Sequence, residues 1–82
     1  MKKKDLKKLV LEALQNHNGK AKIIDVSKYV WSNYKDDLEQ SGNMFYTWQY
    51  DVRWAATNLR KEGLMKKADN KLNGFWELEH VE

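Results

Sequence analysis

Trp48, Val52, Ala55 and Leu59 recur at i, i+4, i+7 and i+11. At about 100° per residue these four fall within an arc of roughly 60°, so a helix across them has one buried side. Gly63 follows as a residue that accepts the left-handed conformation of a helix C-terminus, and the spacing predicts a helix from Thr47 to Glu62. Beyond Gly63 the pattern shortens to an alternation. Leu64–Ala68 and Gly74–Leu78 read as two strands around Asp69–Asn73, with Asp69-Asn70 and Asn73-Gly74 as turn formers. A helix stripe that must be buried beside a half-buried hairpin calls for an α+β domain.

The preceding residues supply the partners. Leu6, Leu9, Val10, Ala13 and Leu14 form one stripe of a helix from Asp5 to Asn16, with Asp5 as its cap and Asn18-Gly19 as its stop. Lys20-Ala21-Lys22 reads as a short extended link, one rung of a small sheet. Ile23, Val26 and Val30 place a second helix at Ile23–Asn33, and the periodicity then fails, so that Tyr34–Tyr46 reads as a connection with a helical turn near Asp37–Gln40. Eighty-two residues make a single domain, 1–82, whose residues 1–4 are a basic end.

Composition narrows the function classes. No cysteine means no disulfide framework, zinc finger or thiol nucleophile, and the four glycines are too scattered for a phosphate-binding loop. His17 and His80 have no nucleophile nearby in sequence, and Asp36, Asp37 and Glu39 read as a solvated acidic connection. No apolar run approaches the roughly 18 residues of a membrane span, and no apolar segment follows the charged N-terminus as in a signal peptide. The expectation is a cytoplasmic, cofactor-free, non-enzymatic domain.

Helix, short strand, helix, helix, strand, strand is the order of a winged helix-turn-helix domain. The string Trp48-Gln-Tyr-Asp-Val-Arg-Trp54-Ala55-Ala-Thr-Asn-Leu59-Arg-Lys-Glu-Gly63-Leu64, followed by Gly74-Phe75-Trp76-Glu77-Leu78, resembles the N-terminal domain of Mrr-type restriction proteins. The likeness covers most of the chain and is loosest at residues 35–46. It implies a DNA-binding module: a small transcriptional regulator, or a nucleoid- or restriction-associated accessory. Restriction activity is not carried over with it, because the likeness does not include an endonuclease domain.

Charge distribution points the same way. The net charge is +3, with five lysines against one aspartate in residues 1–8 and six cations against three carboxylates in residues 44–71. Such clustering suits a polyanion partner. In a helix-turn-helix the second helix of the pair enters the major groove. Opposite the Trp48 stripe, the third helix carries Tyr50, Arg53, Thr57 and Lys61, flanked by Gln49 and Arg60. Arg reads guanine, Gln reads adenine, and Tyr, Thr and Lys reach phosphates. The hairpin adds Lys66, Lys67, Asn70, Lys71 and Asn73 for the backbone or the minor groove. Trp48 and Trp76 belong to the core, whereas Trp54 either packs or stacks on a base. Double-stranded DNA is thus the expected partner, and one small module calls for a homodimer or a protein partner to gain specificity. The alternative is a winged-helix protein-docking module, since fold does not fix function.

Overall fold

The computed structural model describes residues 1–67 and 74–79. It comprises α1 (Asp5–Asn16), β1 (Lys20–Lys22), α2 (Ile23–Glu39), α3 (Met44–Lys61) and β2 (Phe75–Glu77). Three helices pack on one another and on a two-stranded antiparallel sheet in an α+β arrangement.

The first helix has the expected bounds. The five apolar residues of its stripe are all buried and form one wall of the core. Asp5 is not the cap: Lys4 occupies that position without a side-chain bond, and the Asp5 carboxylate accepts the Lys2 backbone N–H at 2.8 Å. The helix ends through Asn18 at φ 60°, which lets the Gly19 N–H return to the Leu14 carbonyl.

The second and third helices are longer than their sequence patterns indicate, and the connection shrinks from 34–46 to the four residues Gln40–Asn43. Tyr34 has non-helical angles (φ −130°, ψ 21°), so the apparent loss of period marks a kink and not an end. Its hydroxyl donates to the Glu12 carboxylate on α1. Helical turns resume, and Leu38 returns to the core fully buried, eight residues after Val30. Met44, four residues before Trp48, extends the buried stripe of α3 backwards. Between them Gly42, at φ +73°, makes the sharp reversal.

At the other end of α3, Gly63 takes φ +78°. The Leu64 N–H bonds the Leu59 carbonyl at 2.9 Å and the Gly63 N–H bonds that of Arg60 at 3.1 Å, the double closure of a Schellman motif.

The sheet departs from a simple hairpin. The main ladder joins β1 to β2, with Lys20 opposite Glu77, Ala21 opposite Trp76 and Lys22 opposite Phe75. Of the strand expected at 64–68, the described residues 64–67 form a bridge between Met65 and Leu78, supported by Lys66 N–H to Glu77 carbonyl at 2.9 Å. Ala21 and Trp76 face the core, and the expected turn at 69–73 lies outside the described residues.

Candidate nucleic-acid interface

The buried side of α3 fixes what its other side presents. Trp48, Val52, Ala55, Ala56 and Leu59 are held in the core, so Gln49, Tyr50, Arg53, Thr57 and Lys61 are all exposed along the outward face. Arg53 and Lys61 make no ion pair among the described residues. Thr57 donates its hydroxyl to the Arg53 carbonyl at 3.1 Å.

Not every expected site residue stands free. Arg60 is half-buried: its Nε–H donates to the Lys66 carbonyl at 3.2 Å and its guanidinium lies 6.0 Å from the Trp76 ring centroid. It ties the end of α3 to the segment that pairs with β2. Lys66 is half-buried and its ammonium is 3.0 Å from the Glu77 carboxylate, which offsets its charge. Lys67 is exposed. Asn70, Lys71 and Asn73 lie outside the described residues.

The longer α3 brings in a residue the sequence pattern left in the connection. Tyr46 is 83% exposed one turn before Tyr50, itself 74% exposed, so Tyr46, Tyr50, Arg53 and Thr57 form one row at i, i+4, i+7 and i+11. Two concavities adjoin this row. A notch of about 300 Å³ is lined by Ile23 and Ser27 of α2 and by Gln49, Tyr50 and Arg53 of α3. A shallow groove of about 340 Å³ beside it has an apolar floor of Trp31, Phe45 and Trp48 and Lys28 on its wall. Neither is lined by a carboxylate.

On the reverse side of α3 the charges are internal. Asp51 is buried, accepts the Thr47 hydroxyl at 2.8 Å and lies 3.8 Å from the Lys3 ammonium. The same ammonium sits 4.4 Å from the Trp54 ring centroid, and Trp54 packs half-buried against the core. Lys7 pairs with Glu62 at 2.6 Å. Two of the five N-terminal lysines are therefore engaged in holding α1 and its leading residues to α3.

A polar cluster on the α1–α2 side has a different character. The bond to Glu12 pushes the Tyr34 hydroxyl up to about 12, with burial adding to it. Tyr29 is also raised, chiefly by burial and then by Glu12. Among the described residues no group of three or more His, Cys, Asp or Glu converges as a metal site, and no helix is long and apolar enough to cross a membrane. Comparison of the chain with protein-family models, curated proteins and solved structures finds no match.

Proposed function

We propose that this protein binds double-stranded DNA as a winged helix-turn-helix module. In this reading α2 and α3 form the helix-turn-helix, α3 enters the major groove and the segment from Leu64 to Leu78 serves as the wing. The observation that carries it is the outward row of α3: Tyr50, Arg53, Thr57 and Lys61, all exposed, with Gln49 beside them and both cations unpaired among the described residues. Arg53 and Gln49 carry donors of the kind that read base edges, and Lys61 is of the type that contacts phosphate. The role that follows is that of a small transcriptional regulator or a nucleoid- or restriction-associated accessory, in keeping with the resemblance to Mrr-type N-terminal domains. The test is anisotropy of labelled duplexes with Arg53→Ala and Lys61→Ala variants. Arg53→Ala is expected to weaken binding by about 1–3 kcal/mol and relax preference at one position, while Lys61→Ala acts equally on all sequences. Equal, negligible effects would remove the basis of the assignment.

One observation favours a second reading, a protein-docking module. Ile24 is 57% exposed beside the apolar groove, and Tyr46 and Tyr50 are more exposed still. Exposed tyrosines and an arginine on the helix face that adjoins this groove are of the residue types that dominate protein interfaces. Salt separates the two: DNA binding falls steeply with ionic strength, whereas apolar docking does not.

A further inference from the structure

The ladder between β1 and β2 assembles a cluster that neither strand reveals alone. Lys20 and Lys22 alternate with the buried Ala21, so both project from the outer face of the sheet, and both are exposed. The register sets Phe75 opposite Lys22. The Lys20 and Lys22 ammonium groups lie 5.0 Å and 5.5 Å from the centroid of this one ring.

This arrangement leaves two positive charges without a carboxylate partner among the described residues. Residues two apart on a strand are separated by about 6.8 Å, and like charges this close repel one another. Glu77 stands opposite Lys20 in the register, but its carboxylate is engaged by Lys66 at 3.0 Å. Neither Lys20 nor Lys22 pairs with a carboxylate among the described residues. Phe75 offers its ring face to both ammonium groups without neutralising them. This cluster is also next to the candidate interface in the chain. Lys22 is followed directly by Ile23, which lines the notch shared by Gln49, Tyr50 and Arg53.

We propose that Lys20 and Lys22, held over Phe75, are a phosphate-backbone contact for the same duplex that α3 reads. This proposal rests on the DNA-binding reading and extends the contact surface from α3 along the outer face of the sheet. The two lysines would take neighbouring phosphates, contribute no base preference and fix the angle at which α3 enters the groove.

The test is the salt dependence of duplex binding for wild type, Lys20→Gln, Lys22→Gln, the double variant and Lys35→Gln, with thermal melts to establish that all are folded. Lys35→Gln removes the same charge from the acidic end of α2, where the Lys35 ammonium lies 3.9 Å from Glu39. Each sheet substitution is expected to flatten the plot of log K against log salt by about 0.9, and the double variant by about 1.8, on every sequence tried. Lys35→Gln is expected to leave the slope unchanged. A double variant with the slope of Lys35→Gln would overturn the proposal while Arg53→Ala still weakens binding and upholds the α3 reading. Wild-type protein that binds no duplex at low salt would overturn both.

Discussion

Trp31 of α2 and Trp48 of α3 lie ring against ring, with centroids 5.8 Å apart and planes 9° from parallel. The stack spans the four-residue turn between the two helices and sets how α3 is presented beside α2. Trp48 is buried and Trp31 half-buried, so their contributions to stability differ. Trp48→Ala is expected to cost about 3–5 kcal/mol. Trp31→Ala should cost about 1–2 kcal/mol. A double-mutant cycle by denaturant unfolding should return a coupling of about 0.5–1.5 kcal/mol. A coupling of zero would mean that the stack does not hold the helix pair.

The two arginines of α3 separate stability from binding. Arg53 is exposed and its side chain makes no ion pair or cation–π contact among the described residues, so Arg53→Ala should leave the melting temperature unchanged. Arg60 bonds the Lys66 carbonyl and faces Trp76, and Arg60→Ala should lower stability by about 1 kcal/mol. Thermal melts of the two variants side by side check this, and equal melting temperatures would count against a structural role for Arg60.

Tyr34 gives a pH signature. Its hydroxyl is raised from the ordinary 10.0 to about 12 because it donates to the Glu12 carboxylate. The folded state therefore keeps a proton that the unfolded state has released between about pH 10 and 12. Stability from this bond is fully present below about pH 10 and is lost as pH rises towards about 12. Phenolate absorbance should show a component titrating near pH 12 that Tyr34→Phe abolishes. Retention of that component in the variant would assign it to another tyrosine.

Gly63 tests the end of α3. Its φ is +78°, and a Cβ there would stand in open space with nothing within 4 Å, so Gly63→Ala meets backbone strain alone. It should cost about 1–2 kcal/mol in urea unfolding. A neutral substitution would show that the turn can relax to another conformation.

Much of this fold is legible as apolar spacing. The stripe of α1 gives its bounds, and Trp48 to Leu59 followed by Gly63 gives the end of α3. The connection is harder to read because Asp36, Asp37 and Glu39 surround a single apolar residue, Leu38, after a kink at Tyr34. The same spacing of four that links Trp48 to Val52 also links it back to Met44, which is what draws Tyr46 onto the outward row. The pairing within the sheet is the least foreseeable feature. A three-residue strand has almost no period of its own, and the pairing of Lys20–Lys22 with Phe75–Glu77 is a contact between distant parts of the chain. Lys20 and Lys22 enter the candidate surface only through that pairing. Arg60 and Lys66 illustrate the opposite case, where an outward residue type turns inward to a partner.

The most direct test of the central claim is an NMR titration of the labelled protein with short A·T-rich and mixed-sequence duplexes at low and moderate salt. DNA binding through α3 predicts shifts concentrated at Gln49, Tyr50, Arg53, Thr57 and Lys61, extending to Lys20 and Lys22 and weakening as salt rises. Absence of shifts at low salt, or shifts confined to the Ile24, Trp31 and Phe45 groove, would contradict it.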